Sequence, residues 1–301
     1  MRSWQSYLIT TVLKLSSRRG KDDSISYPEQ RENFETMMNK WFSEPLGVDH
    51  REQNIEGVMC DWADSGQKEV NRTVLYLHGG GYCVGSPKAY RDLTSRLALA
   101  AEAKVLAVDY RLGPEHKHPA ALEDALTCYR WLIAEGTRAE QIIIAGDSAG
   151  GGLTLATMVA LKQAGDPLPG AAVCLSPWAD LTTTGDSMVT NAKADPVLSK
   201  ESLDSFTDCY LGDADVRDPL LSPCFADLSG LPPLLVQVGS TEVLYDDARR
   251  VVEKVLAAGG QAELDAWTGM PHIWQAFAAK LPEGRAAIVK IGQFIQANTP
   301  A

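Results

Sequence analysis

The amino-acid sequence predicts an α/β fold in which a mostly parallel β-sheet is covered by helices on both faces. Short apolar runs alternate with longer segments whose apolar residues recur at helical spacing. Several of the short runs are apolar at every position, as in strands that helices cover on both sides. The chain has 301 residues, a length at which an α/β fold is commonly a single domain.

The regular alternation begins at the predicted strand Thr73–Leu77. A helix is predicted over residues 87–103, with Ser86 as its cap and Pro87 at its first position, where the missing N–H costs nothing. The later predictions are strands over 104–109, 141–145, 172–175, 233–238 and 262–266, with helices over about 120–135 and 149–164 and after each of the last two strands. Residues 55–62 precede this pattern and predict antiparallel edge strands.

Composition excludes several classes of protein. A hydrophobic share of 45% and a charged share of 22% argue against disorder, collagen and coiled coil. The 39 Asp and Glu residues outnumber the 28 Lys and Arg residues, giving a net charge of −11. This balance argues against a nucleic-acid binder or a basic membrane-surface protein, because both need a cationic face. No run approaches the ~18–20 apolar residues of a membrane span.

The N-terminal segment could pass for a signal peptide, but it lacks a continuous apolar core and a small-residue cleavage site. Trp4, Leu8, Val12 and Leu15 instead recur at helical spacing and predict an amphipathic helix that packs through this face. The six cysteines form no C-x-x-C pair and have no histidine at zinc spacing. We therefore expect buried, reduced thiols in a cytoplasmic protein, and no metal site.

Two regions fall outside the alternation. Residues 1–45 form helical segments ahead of the first strand, and residues about 180–215 form a polar insertion rich in Thr, Asp and Ser. Both are predicted to contribute to a cap over the carboxyl ends of the strands, where ligands bind in open α/β sheets. The main domain would span residues 46–301, with the insertion supplying the rest of the cap.

The segment 146–150 has the sequence GDSAG and joins a predicted strand directly to a predicted helix. In this context a G-x-S-x-G motif predicts a nucleophile elbow, a turn so sharp that the residues two before and two after the serine must lack side chains. Ser148 would then present its hydroxyl above the sheet. A phosphate-binding loop is the competing interpretation, but the segment has neither G-x-G-x-x-G spacing nor a G-K-[ST] ending.

A second glycine motif, HGGGY at residues 78–82, ends the strand Thr73–Leu77. Successive glycines allow backbone N–H groups to approach a ligand closely, as a tetrahedral oxyanion requires. We expect the N–H groups of Gly80, Gly81 and Ala149 to form the oxyanion hole. Glycines that follow a strand often form only a turn, but three before an aromatic residue exceed what a turn needs.

A serine hydroxyl is a poor nucleophile at neutral pH and needs a base that an acid orients. Four of the five histidines lie elsewhere. His78 belongs to the glycine motif, and His50 lies in a polar segment before the sheet. His116 and His118 lie in a loop that enters a helix. His272 remains, just beyond the last strand, where the base lies if the chain order is nucleophile, acid, base. The loop after strand 233–238 offers Glu242, Asp246 and Asp247 as the acid.

Taken together, these segments resemble the bacterial hormone-sensitive-lipase family of α/β-hydrolase carboxylesterases. The matching segments, in the family's order from about residue 70 onward, are HGGG at 78–81, DYRLGPE at 109–115, PAALED at 119–124, GDSAGG at 146–151, DP at 218–219, SP at 222–223 and GMPH at 269–272. The resemblance implies an α/β-hydrolase fold with an eight-stranded, mostly parallel sheet and a helical cap. Glu242 stands where the family usually carries an aspartate, which is the one departure.

The resemblance also implies cofactor-free hydrolysis of small-molecule esters by Ser148, His272 and an acid. The resemblance predicts Glu242 as the acid, since it stands at the spacing at which the family carries that residue. Asp246 and Asp247 fall in the first turn of a predicted helix, where carboxylates favour the helix dipole, which gives them a structural role. An enclosed pocket under the cap, with Tyr82 and Met270 near it, favours short- to medium-chain acyl groups. A non-catalytic small-ligand receptor and an amidase or peptidase remain as alternatives, since fold alone does not separate them. A homodimer through the edge of the C-terminal strand is also left open.

Overall fold

The computed structural model describes residues 2–17, 25–66 and 71–300. Residues 18–24 of the predicted helical segment 1–45 therefore lie outside the described residues. The first half of the chain contains α1 (Trp4–Ser17), α2 (Tyr27–Trp41), β1 (Asp49–Ile55), β2 (Val58–Asp64), β3 (Thr73–Leu77), α3 (Arg91–Ala101), β4 (Lys104–Asp109), α4 (Ala120–Ala134) and β5 (Ile142–Asp147). The second half contains α5 (Ala149–Ala164), β6 (Ala171–Leu175), α6 (Ser187–Thr190), α7 (Lys200–Tyr210), β7 (Leu234–Gly239), α8 (Tyr245–Ala257), β8 (Ala262–Trp267) and α9 (Pro282–Asn298).

The eight strands form one sheet in the order β1-β2-β4-β3-β5-β6-β7-β8. β1 pairs with β2 and β2 with β4 in antiparallel fashion, and the remaining pairs are parallel. The expected eight-stranded, mostly parallel sheet with antiparallel strands at one edge is therefore confirmed. The carboxyl ends of β3, β5, β7 and β8 meet along one edge of this sheet, which is where the predicted site residues follow.

Both faces of the sheet are covered, since the central strands β3, β5, β6 and β7 are mostly apolar and are buried at every position. In β3, Leu75 faces the same apolar cluster as α4, α5 and α8, whereas Val74 and Tyr76 face the cluster that contains α3 and α9. This alternation, with side chains at successive positions pointing to opposite faces, leaves no polar face for solvent. The fully apolar runs in the sequence predicted this arrangement correctly.

The predicted boundaries of β3, β4 and α5 match the structure, and the other strands of the parallel sheet differ by at most two residues. The helix predicted over 87–103 begins as a 3-10 turn at Lys88–Tyr90, and α3 starts only at Arg91. Ser86 caps the turn as predicted, since its hydroxyl accepts the N–H of Ala89 at 3.2 Å. Helix α3 ends at Ala101, before the predicted end at residue 103, because Glu102 adopts a left-handed conformation with φ of 48°.

Helix α1 forms as predicted, but the prediction of its packing face is wrong. Trp4, Leu8 and Leu15 are 70%, 55% and 59% exposed. The side that packs carries Ile9 and Leu13, which contact an apolar cluster around Met270 and Trp274. Both sides of α1 are apolar, so spacing alone could not tell which one meets the protein.

The expectation of six reduced thiols is also wrong for one pair. Cys83, after the HGGGY motif, forms a disulfide with Cys209 on α7. The two residues are 126 positions apart, so only the seating of α7 on this loop brings them together. The other four cysteines are free and buried, as expected. Within the described residues no helix combines the length and the apolar character that a membrane crossing requires.

Candidate active site

Ser148 occupies the turn between β5 and α5, and its backbone is strained. Its φ of 53° and ψ of −121° lie in a region that side-chain-bearing residues rarely adopt. Its N–H donates to Leu175 O at 2.8 Å, and its carbonyl accepts from Gly152 N and Trp178 N. These backbone bonds hold the strained turn. The Ser148 residue is 9% exposed, at the N-terminal end of α5, where the helix dipole favours negative charge.

The glycines on both sides of Ser148 are required by contact with backbone, as the motif predicted. A Cβ at Gly146 would collide with the carbonyl of Gly150. A Cβ at Gly150 would collide with Leu77 O, at the end of β3. The first turn of α5 is thereby seated directly on the strand that leads into the second glycine motif.

The loop that follows β3, residues 78–85, is called the glycine loop here. Gly80 and Gly81 have φ values of 117° and 61°, which L-residues with side chains rarely adopt. Gly80 O accepts the N–H groups of Cys83 and Val84 at 3.1 and 3.0 Å, so the loop closes into a tight turn. Among the described residues, no hydrogen bond uses the N–H of Gly80, Gly81 or Ala149. These three donors are therefore available to a ligand.

His272 and Glu242 are brought into direct contact. Nδ1 of His272 lies 2.7 Å from Oε2 of Glu242, which leaves Nε2 as the imidazole nitrogen that can face a reactant. The other oxygen, Oε1, accepts the N–H of Gly239 at 2.5 Å and the hydroxyl of Ser176 at 2.8 Å. Both side chains are buried, and the His272 residue is 4% exposed.

The pKa values of this pair are shifted by burial and by mutual contact. Burial alone would lower the pKa of His272, but the hydrogen bond to Glu242 and the charge of that carboxylate raise it above the ordinary value. Burial raises the pKa of Glu242, and contact with His272 only partly offsets this. A carboxylate in this position stabilises an imidazolium, as an acid that orients a general base must do.

Asp246 and Asp247 are engaged elsewhere. Asp246 accepts the N–H of Ser187 at 2.8 Å and forms an ion pair with Arg249 at 2.9 Å. Asp247 accepts the N–H groups of Ala179 and Asp180, both at 2.9 Å. Burial raises the pKa of Asp247 to about 8. Both lie in the first turn of α8, which Asp246 links to the start of α6 and Asp247 to the loop after β6, so neither contacts His272.

Sequence reasoning gave no role to Asp147, which the structure places between the elbow and the glycine loop. Its buried carboxylate accepts the N–H of Gly79 at 2.9 Å and the hydroxyls of Tyr76 and Tyr90 at 2.7 and 3.2 Å. Burial raises the pKa of Asp147 to about 6, despite these hydrogen bonds. The residue beside Ser148 thus fixes the start of the glycine loop. The aspartate of the GDSAG motif is the sequence signal that could have indicated this role.

Ser176 was missed as well. It follows β6 with a φ of 47°, and its hydroxyl donates to Glu242 at 2.8 Å. The hydroxyl oxygen of Ser176 also accepts the N–H of Ile273, the residue after His272, at 3.3 Å. Ser176 therefore touches the segments that carry both members of the pair. A serine that ends a strand at the same sheet edge is the only sequence signal for it.

Tyr82 and Met270, predicted near a substrate pocket, are both buried. The ring of Tyr82 stacks on Tyr210 of α7 with centroids 3.8 Å apart. Met270 lies in the apolar cluster with Trp274 and Leu281. Their predicted place in an acyl pocket stays a prediction.

The N-terminal region reaches the glycine loop through α2. The guanidinium of Arg31 donates to Cys83 O at 2.9 Å and to Gly113 O at 2.7 Å. Glu35, one turn later, accepts the hydroxyl of Ser86 at 2.7 Å. The segment ahead of the first strand therefore contacts the same loop as α7 does. In the described part of the chain, no three His, Cys, Asp or Glu residues are grouped as metal ligands.

Comparison with known proteins agrees with this architecture. A family model described as alpha/beta hydrolase fold matches residues 74–276. An acetyl-hydrolase of Streptomyces hygroscopicus is 47% identical over 240 residues, which cover 80% of each chain. An esterase of Acinetobacter venetianus is 35% identical over 293 residues, covering 97% of this chain and 96% of its own. A solved esterase of the bacterial hormone-sensitive lipase (HSL) family superposes with a TM-score of 0.94 at 42% identity, with 99% of each chain covered.

The sheet topology, the strained serine elbow and these relatives define an enzyme of the hydrolase class. More particularly, the chain belongs to the α/β-hydrolase family and, within it, to the bacterial hormone-sensitive lipase esterases.

Proposed function

We propose that this enzyme is a serine carboxylesterase for short- to medium-chain acyl esters. Ser148 is the nucleophile, His272 the general base and Glu242 the acid that orients it. The observation that carries the proposal is the contact of Glu242 with Nδ1 of His272, at the sheet edge where a strained serine begins a helix. This combination leaves Nε2 as the only imidazole nitrogen able to take a proton from a reactant.

The reaction proceeds through an acyl-enzyme. Ser148 Oγ bonds to the acyl carbon while its proton passes to Nε2 of His272, and the carbonyl oxygen becomes an oxyanion. The N–H groups of Gly80, Gly81 and Ala149 stabilise that oxyanion, since no other acceptor among the described residues uses them. The C–O bond to the alcohol then breaks, and the leaving oxygen takes the proton from Nε2. Water repeats both steps on the acyl-enzyme and releases the acid.

A fluorophosphonate probe tests the nucleophile and separates an esterase from a non-catalytic receptor. We expect the folded protein to gain the mass of one probe adduct, on the peptide that contains Ser148, and Ser148→Ala to remain unlabelled. Ser95→Ala is the matched control, since Ser95 also contacts a histidine, His50. Absence of labelling in folded wild-type protein would favour the receptor.

The proposed cap supports the choice of substrate. Residues from 1–45 and 180–215 both contact the loops at the carboxyl edge of the sheet, through Arg31 and Tyr210 among others. Such cover over Ser148 suits small acyl groups better than emulsified fat, and the similarity to an acetyl-hydrolase points the same way. We expect p-nitrophenyl acetate to octanoate to be preferred over palmitate in kcat/KM. A preference for palmitate would contradict the proposal, and faster turnover of matched anilides would favour an amidase.

A further inference from the structure

Helix α1 presents an apolar face to solvent. Trp4, Tyr7, Leu8 and Leu15 lie on one side of the helix and are each at least 55% exposed. These four residues are called the outer face of α1. A single exposed apolar side chain is ordinary, but a contiguous stripe that includes two aromatic residues marks a surface that binds something.

The position of α1 is fixed from its other side. Ile9 and Leu13 pack with the cluster of Met270 and Trp274. Ser3 donates its N–H and hydroxyl to Glu283 at 2.6 and 2.8 Å. Helix α1 is therefore already packed against the rest of the protein, and the side chains of the outer face remain exposed in that packed position.

The charge of the chain is unevenly distributed along it, which the whole-chain total conceals. All 39 acidic residues lie from Asp22 onward, whereas five of the 28 Lys and Arg residues precede it. An anionic surface would repel most of this protein and attract its N-terminal segment. The net charge of the whole chain argues against a membrane-surface role, but this argument does not apply to α1.

We propose that the outer face of α1 docks this protein on anionic phospholipid surfaces. The guanidinium of Arg2 lies 4.5 Å from the centre of the Tyr7 ring, so a basic group adjoins the outer face. A helix with exposed Trp and Tyr and an adjoining basic group lies in the plane of a lipid headgroup layer, with its apolar face inserted. With 14 residues, α1 is about 21 Å long, which is shorter than a bilayer core. A second copy of the chain is a poorer occupant, because a two-fold contact would bring the same basic segments together.

Docking in this way would place the proposed active site beside the lipid. The cluster under α1 includes Met270, two residues before His272, and the guanidinium of Arg2 lies against Gly269 in the same loop. This consequence rests on the proposed function, whereas lipid binding itself does not.

Vesicle sedimentation of the purified 301-residue chain tests the proposal. We expect binding to vesicles of equal parts phosphatidylglycerol and phosphatidylcholine, and binding weakened at least about tenfold by 0.5 M NaCl or in phosphatidylcholine alone. The variant Trp4→Gln/Leu8→Gln should lose at least about tenfold in affinity for the mixed vesicles, because it removes two exposed anchors. Its turnover of soluble p-nitrophenyl acetate should match that of wild type.

The matched control is Leu256→Gln/Val289→Gln, which removes two apolar side chains that are 51% and 53% exposed on other helices. It should bind the mixed vesicles as wild type does. The proposal is overturned if wild type does not sediment with mixed vesicles, if salt and lipid charge have no effect, or if the α1 variant binds normally. It is also overturned if sedimentation velocity shows a dimer that only the α1 variant loses. If the wild-type protein binds the vesicles but does not hydrolyse the ester, the result counts against the proposed function and not against lipid binding.

Discussion

The molecule contains two sets of serine, histidine and carboxylate, and in each the histidine is hydrogen-bonded to the carboxylate. In the first, Ser148 accompanies His272 and Glu242 at the carboxyl edge of the sheet. In the second, Nε2 of His50 lies 2.9 Å from Ser95 Oγ and Nδ1 lies 2.7 Å from Asp61 Oδ2. By residue type and connection, the second set fits a catalytic triad at least as well as the first.

The surroundings of the two serines differ. Ser95 lies inside α3 and is fully buried, so no substrate can reach it. Ser148 lies at a helix N-terminus with a strained backbone and with N–H donors that no residue of the described chain uses. Asp61 also forms an ion pair with Arg91 at 2.9 Å, which together with His50 outweighs burial and lowers its pKa. The second set thus fastens β1 and β2 to α3.

The comparison shows that a triad is defined by what surrounds its nucleophile. A serine, a histidine and a carboxylate that are distant in the sequence and meet in the fold can equally well form a structural network, because buried polar groups need partners wherever they occur. The following predictions separate the two sets, from the largest expected effect to the smallest.

Ser148→Ala should lower kcat for p-nitrophenyl acetate by about 10⁴–10⁶-fold, because it removes the proposed nucleophile. Ser95→Ala should leave kcat within about twofold, while lowering the free energy of unfolding by about 1–3 kcal/mol, since it leaves a buried hydrogen-bond partner unsatisfied. Steady-state kinetics and urea unfolding measure both. A large rate loss in Ser95→Ala with its fold intact would break the distinction.

Glu242→Gln should lower kcat about 10³–10⁴-fold, as other triad-acid replacements do. The pH profile of the residual activity gives a second readout. In wild type we expect the raised pKa of His272 to set the acid limb of kcat/KM, because a protonated imidazole cannot act as the proposed base. Without the carboxylate charge of Glu242, burial is opposed only by the charges of Asp195 and Asp147, so the pKa of His272 falls and that limb moves to lower pH. Asp61→Asn should leave the profile unchanged, and Asp246→Asn should cost stability more than rate.

Asp147→Asn should lower kcat by up to about 10²-fold with KM little changed, the scale on which a misplacement of about 1 Å costs rate. An amide offers only one acceptor oxygen to the donors that Asp147 holds, Gly79 N–H among them. A fluorophosphonate labelling rate that falls in parallel would show that the glycine loop, and not substrate binding, is disturbed. An unchanged labelling rate would argue against this role.

Ser176→Ala should have the smallest effect, about tenfold in kcat, because two other contacts of Glu242 remain. Thr157→Ala is a suitable control, since it removes a buried hydroxyl that only bonds within α5. Equal rate losses in the two variants would mean that Ser176 does not position Glu242.

The sequence predicted most of the sheet and the residues of the candidate site because local chemistry determines both. Apolar runs specify buried strands, and a glycine is needed wherever backbone meets backbone, as at Gly150. The missed features depend on contacts between distant segments. Neither the Cys83–Cys209 disulfide nor the contact of His50 with Ser95 has a local pattern. The packing face of α1 was misjudged because both of its sides are apolar.

The anchor of α1 also has a consequence for the order in which the chain folds. Ser3 binds Glu283, 280 residues later, and Ile9 and Leu13 pack with Met270 and Trp274. During synthesis α1 therefore has no docking site until the segment that contains Glu283, 280 residues after Ser3, has followed. A helix of 14 residues is marginal by itself in water, so it gains most of its stability only at that late stage. Helix α1 is thus made before its docking site and stabilised only after it.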